Sequence, residues 1–435
     1  MRWIVFSWFF ALTPHLNFCE DSILRIATVT DVHIGEGCQG DLSIGGCKPL
    51  AALQQTFLKM NEMNLDGVFL TGDLTSSALY EEYQALRDLL EDNLRVPWWP
   101  MLGNHDVWPY TRQDEDNFNQ TDFPIGDQYL ADVFGDILSQ QGIANESLAE
   151  LYVSSCTSNW PTSSCLNKDY NYNSYFHNFY VTFPSFSNNL KFLALDWNSR
   201  AAALPEPGVG PEAELHDFDC GTLYWLDNTL KSMMQTEHAA DNRFFILQHH
   251  PFHNRESLDP FGNNYLYNFT FDKRQDKTVQ KTLQTYVHPN MILGVQSGHM
   301  HRYLLYSNKL CAFVYICVVL LSMTIDLLHY VGRRRLIFSL FISACFFPYR
   351  WFNGTAFTQQ TCLNDEWLSV KEFETPASKG WWLNEDYVSA FTVFTFGSND
   401  EMNEEGTIEL KDVNGYWRVP PTLDWVVKPH LGNVW

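Results

Sequence analysis

Five short apolar runs in this chain are each followed by residue types that commonly turn the backbone or serve as metal ligands in proteins. Two segments with helical spacing, Pro49–Met63 and Ala78–Asn93, separate the first three runs. Strands alternating with helices predict an α/β domain, in which the loops at the carboxyl ends of strands collect ligand and catalytic groups. The five runs are Leu24–Thr30, Gly67–Leu70, Val96–Leu102, Arg243–Leu247 and Met291–Gln296.

The residues that follow these runs have the chemistry of metal ligands. Asp31-Val32-His33 and His299-Met300-His301 each place two ligand-type side chains at positions i and i+2, which point to one side of an extended backbone. Gly72-Asp73, Gly103-Asn104-His105-Asp106 and His249-His250-Pro251 follow the other runs. One such motif is common by chance, but five of them, each after an apolar run, indicate a metal site.

Together these motifs resemble the signature of the calcineurin-like metallophosphoesterase superfamily, which reads D-x-H, G-D, G-N-H-D/E, H and G-H-x-H. The resemblance runs from about Leu24 to His301 and resumes at Trp351, and every position of the signature is filled. It implies a four-layer α/β/β/α sandwich with two mixed sheets. It also implies two divalent or trivalent metal ions, for which a nitrogen and oxygen ligand set suits Zn, Fe or Mn.

The resemblance further implies a mechanism and a division of the ligands. A hydroxide that bridges the two ions would attack phosphorus, and the ions would offset the charge that develops. His105 is expected to protonate the leaving oxygen or stabilise the transition state, and Asp106 either orients its imidazole or caps a turn. The expected ligands are Asp31, His33 and His301 for the first ion, Asn104, His249 and His299 for the second, and Asp73 as the bridge.

Departures from the signatures of related enzymes indicate which branch of the superfamily this chain resembles. Ser76 stands where purple acid phosphatases carry a ligating Tyr, and the residues after Asp73 lack the G-D-x-V-D-R-G motif of protein Ser/Thr phosphatases. A secreted chain with disulfides and these motifs is more similar to the phosphodiesterase and acid-sphingomyelinase-like branch. After a further predicted strand, Trp197-Asn198-Ser199-Arg200 offers Arg200 as a contact for a substrate phosphate.

Composition limits the partners of this chain. Hydrophobic residues make up 45% of the sequence and aromatic residues 15%, which is enough for a large folded core. The formal net charge of −23 repels the phosphates of nucleic acids, so no nucleic-acid partner is expected. The expected partners are phosphate esters of small molecules or of lipid head groups.

The N-terminus predicts entry into the secretory pathway. Residues 1–19 have the form of a signal peptide, with Arg2 ahead of an apolar run, Trp3–Leu12, that is too short to span a bilayer. An extracellular or lysosome-like destination follows. Four glycosylation sequons agree with it, at Asn119, Asn145, Asn268 and Asn353.

Six cysteines form a candidate disulfide set in that oxidising compartment. The local pairs Cys38–Cys47 and Cys156–Cys165 each close a short polar loop, which leaves Cys220 for Cys362. Six cysteines allow about 15 pairings, so this arrangement is one hypothesis among several.

An apolar segment interrupts the domain after its last motif. Leu310–Leu328 is long enough to span a bilayer, but a crossing there would separate the C-terminal residues from the metal site. We therefore divide the rest of the chain into a metallophosphoesterase domain (22–302), an apolar insertion (303–350) and a continuation of that domain (351–435). The insertion is interpreted as an unspliced intron, as a membrane anchor through 310–328, or as a buried or lipid-surface helix.

The predicted activity is dinuclear-metal-dependent hydrolysis of phosphomonoesters or phosphodiesters. The alternatives on the same fold are a catalytically impaired binding protein and a membrane-anchored receptor. The complete ligand set favours the enzyme.

The polar, aromatic stretch from about Tyr110 to Asn189 is expected to form an insertion or cap of loops and short helices over the site.

Overall fold

The computed structural model describes residues 23–38, 40–107, 126–139, 150–153, 165–167, 172–174, 176–200, 213–219, 221–252, 273–299, 304–306, 357–358, 372–374, 389–399, 407–418 and 425–429.

These residues form α-helices and β-strands in an order typical of an α/β protein. The helices are α1 (Lys48–Met60), α2 (Tyr80–Asn93), α3 (Gly126–Ser139), α4 (Thr222–Met233) and α5 (Lys273–Tyr286). The strands are β1 (Ile23–Val29), β2 (Gly67–Thr71), β3 (Trp98–Met101), β4 (Glu150–Val153), β5 (Cys165–Asn167), β6 (Tyr172–Ser174), β7 (Phe179–Phe183), β8 (Ser187–Leu195), β9 (Arg243–Gln248), β10 (Ile292–Ser297), β11 (Leu304–Tyr306), β12 (Phe357–Thr358), β13 (Glu372–Glu374), β14 (Ser389–Asn399), β15 (Thr407–Arg418) and β16 (Val426–Pro429).

Two mixed sheets form the centre of the molecule. Sheet 1 has the strand order β16-β15-β14-β1-β2-β3, in which β1, β2 and β3 are parallel and the C-terminal strands are antiparallel. Sheet 2 has the order β12-β11-β13-β10-β9-β8-β7-β4, with β8, β9, β10 and β13 parallel. Strands from the end of the sequence therefore lie in both sheets.

The two sheets pack face to face, and helices cover their outer faces. Phe69 of β2 stacks on Phe192 of β8 with ring centroids 5.7 Å apart, and Phe245 of β9 lies 4.8 Å from Phe394 of β14. The neighbours of Phe245 in β9 belong instead to the core beneath α4 and α5. A strand that is buried on both faces reads as a continuous apolar run, as β9 does.

The helices follow from their apolar spacing. In α1, Pro49 occupies the first turn, where its missing N–H costs nothing, and Leu50, Leu53 and Phe57 form the buried stripe. Helices α1, α2 and α3 share the core of sheet 1, whereas α4 and α5 pack on sheet 2. The four-layer α/β/β/α sandwich with two mixed sheets is thus present.

The structure differs from the sequence-based prediction in the stretch from 110 to 189. We expected loops and short helices over the site, but α3 has 14 residues and its Leu130 and Phe134 are buried in the main core. Strands β4 and β7 of the same stretch belong to sheet 2. The described parts of this stretch that form α3, β4 and β7 are therefore part of the sandwich rather than a cap.

The apolar insertion is described only at its start. Leu304–Tyr306 forms β11 and pairs with β13, so sheet 2 continues past residue 303, where we expected the insertion to begin. The rest of the insertion, including 310–328, lies outside the described residues. Among the helices that the structure does describe, none combines the length and apolarity needed to cross a bilayer.

Candidate metal centre

Six of the seven predicted metal ligands are described, and they converge at the carboxyl ends of five strands. Four of them follow strands of sheet 1, and two follow strands of sheet 2. All six are buried, with at most 8% of any of them exposed. They are Asp31, His33, Asp73, Asn104, His249 and His299, while His301 lies outside the described residues.

Asp73 stands between two groups of potential metal ligands. Its Oδ2 lies 3.5 Å from Nε2 of His33, and its Oδ1 lies 3.2 Å from Nε2 of His249. One group contains His33, Asp73 and His105, and the other contains Asp73, His249 and His299, with ligand atoms within 4.8 Å of one another in each. A carboxylate that turns one oxygen to each group has the geometry of a bridging ligand.

The second group is completed by the amide of Asn104. Its Oδ1 lies 3.0 Å from Nε2 of His249, which in turn lies 3.2 Å from Nδ1 of His299. Nδ1 of His249 donates to the carbonyl of Thr71 at 3.0 Å. That bond holds the ring so that Nε2 faces the other donors, as a metal-binding imidazole requires.

Asp31 connects the two sheets beneath the site. Its carboxylate accepts the backbone N–H of His299, with distances of 3.0 Å and 3.1 Å to its two oxygens. Asp31 belongs to neither of the two ligand groups that lie within 4.8 Å. Its assignment to the first ion stays a prediction.

At four of the six described ligand positions, the backbone is left-handed rather than extended. Among the described residues, six that are not glycine have positive φ, and four of these are Asp31 (54°), His33 (51°), Asp73 (50°) and His299 (70°). The argument from an extended D-x-H was therefore wrong. Such φ values cost on the order of 1–3 kcal/mol each, and they persist where surrounding contacts fix the chain.

Backbone hydrogen bonds supply those contacts. The N–H groups of Val32 and His33 both donate to the carbonyl of Asp73, at 2.8 Å and 3.0 Å. The N–H of Asp31 donates to the carbonyl of Gly72. The loops after β1 and β2 are thus held to each other directly beneath the ligand side chains.

Two glycines of the motifs are required by crowding. Gly72 has a φ of +95°, and a Cβ there would lie 2.5 Å from Nδ1 of His249. A Cβ on Gly298 would lie 2.0 Å from Oγ1 of Thr30 and 3.0 Å from a carboxylate oxygen of Asp31. Any side chain at either position would displace a ligand or the strand end that carries it.

His105 is the partly buried member of the first group, and its imidazole is oriented by a carbonyl. Nδ1 lies 3.0 Å from the backbone oxygen of Ser76, and the ring meets His33 edge-on with centroids 4.8 Å apart. The backbone N–H of His105 donates to Oδ1 of Asp73 at 2.9 Å. Nothing in the sequence identified Ser76 in this role, because the contact is made by its backbone.

The expectation that Asp106 orients the His105 imidazole does not agree with these contacts. The Asp106 carboxylate instead accepts the backbone N–H groups of Leu74, Thr75 and Gly103 and the hydroxyl of Thr75, at 2.8–3.0 Å. Asp106 is fully buried and ties the loop after β2 to the loop after β3. This corresponds to the alternative in which Asp106 caps a turn.

The electrostatics of the site keep Asp73 ionised. Burial on its own would raise the pKa of the Asp73 carboxyl, but the neighbouring imidazoles, His249 first, hold that pKa well below its usual value. Burial likewise opposes protonation of His249, yet the charge of Asp73 raises its pKa to about 9. A bridging ligand has to be a carboxylate, and Asp73 is one.

The donor set fits a pair of transition-metal ions. Imidazole nitrogens, a shared carboxylate and an amide oxygen suit Zn, Fe or Mn, and they exclude the oxygen-only cages that Ca²⁺ prefers. Burial of all six described ligands would shield such ions from bulk water.

Arg200 is not available to a substrate phosphate. Its side chain is fully buried, and it pairs with Asp196 at 2.8 Å and with Asp127 at 3.3 Å. Its guanidinium also lies over the ring of Phe176. Two carboxylates already neutralise this cation, so the phosphate-contact hypothesis for Arg200 is wrong.

One of the three predicted disulfides is described. Cys38 and Cys47 are bonded and close the loop between His33 and α1. The other cysteine side chains (Cys156, Cys165, Cys220 and Cys362) fall outside the described part of the chain, as do residues 1–19. The four sequons, at Asn119, Asn145, Asn268 and Asn353, lie outside it too.

Three solved structures are similar to this chain over most of its length. A dimetal phosphatase from Danio rerio has 10% sequence identity and a TM-score of 0.42, and the match covers 93% of this chain and 98% of that one. The purple acid phosphatase PPD1 from yellow lupin (Lupinus luteus) seeds has 12% identity and a TM-score of 0.41, with 94% of this chain and 54% of that one covered. PhoD has 11% identity and a TM-score of 0.41, with 92% of this chain and 72% of that one covered. No curated protein matches the sequence significantly.

The sequence itself assigns the family. The family described as "Calcineurin-like phosphoesterase" matches residues 24–303, more than half of the 435 residues. That range contains all six described ligands and His105. The chain belongs to the calcineurin-like phosphoesterase family and is a metal-dependent phosphoesterase.

Proposed function

We propose that this chain hydrolyses phosphomonoesters or phosphodiesters of small molecules or lipid head groups at a centre of two metal ions bridged by Asp73. The observation that carries the proposal is the placement of Asp73, whose two oxygens face two separate groups of imidazole ligands. The set formed by Asn104, His249 and His299 would hold one ion. His33, with Asp31 and His301, would hold the other.

When bound, the two ions would acidify a water molecule and offset the negative charge that develops on the phosphate. The protein contributes a preformed scaffold, because buried hydrogen bonds fix the loops of Asp31, Asp73 and Asn104. Such preorganisation is usually the largest catalytic contribution of a protein site.

His105 would deliver a proton to the leaving oxygen. The Ser76 carbonyl accepts only, so the Nδ1 that lies 3.0 Å from it carries a proton. Nε2 is then the nitrogen that exchanges a proton with the substrate, and it donates when the ring is an imidazolium. The same contact keeps the ring in one orientation beside the first ligand group.

The proposal extends to the secretory pathway. The Cys38–Cys47 disulfide is typical of an oxidising compartment, and the sequons and the N-terminal apolar run agree with that location. In a second form of this proposal, the protein is anchored in the membrane through 310–328. Carbonate extraction of the expressed protein distinguishes an anchored from a released form, because an anchored chain stays with the membrane.

Metal analysis and a substrate panel test the activity. The purified protein should contain two ions per chain and should turn over aryl phosphomonoesters, bis-aryl phosphates or phospholipid head-group esters. Asp73→Asn should lose at least one ion and most activity, because an amide offers only one good donor oxygen. Asp92→Asn, on the exposed face of α2, is the matched control.

Two outcomes would contradict the proposal. An Asp73→Asn variant that keeps both ions and full activity would remove the bridging role. A wild-type protein that binds two ions but turns over none of these esters would favour the binding-protein alternative.

A further inference from the structure

The loop that follows β8, Asp196–Arg200, has no assigned role in the site, yet all five of its residues are buried. We call this segment the β8 loop. Strand β8 lies next to β9 in sheet 2, so the loop leaves the sheet at the same edge as His249. Full burial of a connecting segment is unusual, because its polar groups then need partners inside the protein.

A buried ion-pair cluster fixes the shape of the β8 loop. The guanidinium of Arg200 bonds to both carboxylate oxygens of Asp196 and to the carbonyl of Asn198. It also bonds to Asp127 at the start of α3, while the backbone N–H of His177 donates to Asp196. The two ends of the loop are thereby locked to each other and to two other elements.

From this fixed loop, Asn198 reaches across to sheet 1. Its Nδ2 donates to the carbonyl of Leu102 at 2.9 Å and to Oδ1 of Asp196 at 2.9 Å. Leu102 lies two residues before Asn104, the amide ligand of the second group. Asn198 therefore fixes the position of the backbone at the point where the loop after β3 leaves its strand.

Trp197 holds the other side of the same ligand group. Its Nε1 donates to Oε1 of Gln248 at 3.1 Å, and Nε2 of Gln248 donates to the carbonyl of His250 at 2.8 Å. The residues that take part in these bonds, Gln248 and His250, stand on either side of His249 in the sequence. Adjacent residues of one loop thus contact the backbone or side chains next to two ligands of one ion.

We propose that the β8 loop is a positioning element for the second metal ion, in which Asn198 positions Asn104 and Trp197 positions His249. Neither residue is one of the proposed metal ligands, and each acts through a residue close to a ligand in the sequence. The inference rests on the proposed function, because it presupposes that Asn104, His249 and His299 bind an ion. It also gives Arg200 a role, which is to hold the loop rather than the substrate.

The expected effect is confined to one of two ions. Residues that orient metal ligands typically contribute about 10–100-fold to metal affinity. Loss of a β8-loop contact should therefore weaken the second ion by that factor and leave the first unchanged. A merely structural residue would lower stability without separating the two affinities.

Four single variants of the full chain test this. Asn198→Ala and Trp197→Phe remove the two contacts, and Trp197→Phe keeps the packed ring, so it should fold even if Asn198→Ala does not. Trp225→Phe is the control for the tryptophan, because Trp225 lies on α4 and is buried in the same core as Trp197. Asn242→Ala is the control for the asparagine, because Asn242 is buried at the opposite end of β9.

Each protein is stripped with chelator and titrated with Mn²⁺ alone. Bound ions per chain are counted by elemental analysis, and electron paramagnetic resonance distinguishes a coupled Mn²⁺ pair from isolated ions. Thermal unfolding at saturating Mn²⁺ confirms that each variant is folded. No substrate is needed, so the result is independent of turnover.

In the expected result, the wild type and both controls bind two ions with the coupled signal. Trp197→Phe and Asn198→Ala bind the first ion normally and the second about 10–100-fold more weakly, so isolated Mn²⁺ persists at intermediate concentrations. If both variants match their controls, the inference is overturned while the proposed function stands. If the wild type never binds a second ion, both are overturned.

Discussion

Two buried histidines outside the metal centre make the folded state sensitive to acid. His177, just before β7, and His216, just before α4, are each at most 2% exposed. Burial, assisted by the charge of Arg200, lowers the pKa of each imidazole from 6.5 to about 4. The carboxylates of Asp196, near His177, and Glu214, near His216, offset only part of that effect.

The sign of the pH dependence follows from these values. Between pH 6.5 and 4 the unfolded chain binds more protons than the folded one, because its histidines are unshifted. Stability is therefore unaffected by these two imidazoles well above pH 6.5, where they are neutral in both states, and it falls as the pH drops from 6.5 towards 4. From pH 6.5 to pH 5, each histidine lowers the free energy of unfolding by about 1.6 kcal/mol, and the pair by about 3 kcal/mol.

Urea denaturation of the chelator-treated protein at pH 6.5, 6.0, 5.5 and 5.0 measures this loss. His177→Gln keeps a donor for the carbonyl of Asp127, and His216→Asn tolerates the φ of 50° at that position. Burial raises the pKa of Asp106 to about 7, which opposes this loss in the same pH range, so each variant is compared with the wild type. Between pH 6.5 and pH 5, each variant should lose about 1.6 kcal/mol less free energy of unfolding than the wild type, whereas His238→Gln, on an exposed side chain, should lose as much as the wild type. Variants of His177 and His216 that lose as much stability as the wild type over this range would refute the reasoning.

Three further predictions concern the site and its surroundings. Gly298→Ala should lose at least one bound ion by elemental analysis, since its Cβ would lie 2.0 Å from a threonine hydroxyl. Gly45→Ala should lose none, because its Cβ would make only an ordinary contact, 3.9 Å from Oγ of Ser43. Arg200→Met should lower the free energy of unfolding in urea by about 3–5 kcal/mol, because it leaves buried carboxylates unpaired. The control Arg95→Met, at the surface, should lower it by less than about 0.5 kcal/mol. A loss below about 1 kcal/mol for Arg200→Met would contradict the buried pairing. His105→Asn should keep both ions and lower kcat by about 10²–10⁴-fold. That loss should be smaller for a nitrophenyl ester than for an alkyl ester, and equal losses would argue against proton donation.

The ligands could be predicted from the sequence because each follows a strand that is apolar enough to recognise. Parallel strands end at a shared edge, so Asp31, Asp73 and Asn104 had to meet in sheet 1, whereas the approach of His249 depends on how sheet 2 packs against sheet 1. The i, i+2 argument for Asp31 and His33 led to the right residues for the wrong reason. The left-handed backbone that directs these side chains depends on bonds to the loop after β2, which no local pattern reveals.

Other features were beyond local reasoning for physical reasons. Arg200 looked like a phosphate contact because burial and its two carboxylate partners come from distant parts of the chain. Helix α5 is polar on most of its surface, and only a narrow stripe with Val279 and Leu283 packs inward. His105 was recognised by its motif, but its partner Ser76 acts through a backbone carbonyl and leaves no trace in residue type.

The bond between Asp31 and the backbone of His299 joins residues that are 268 positions apart in the sequence. During synthesis, the N-terminal half of the metal cradle is therefore made long before the C-terminal half leaves the ribosome. A nascent chain that stops short of β10 cannot assemble the complete donor set, however well its first three strands have folded. The complete donor set can thus hold its ions only after β10 has been made and the two sheets have closed on each other.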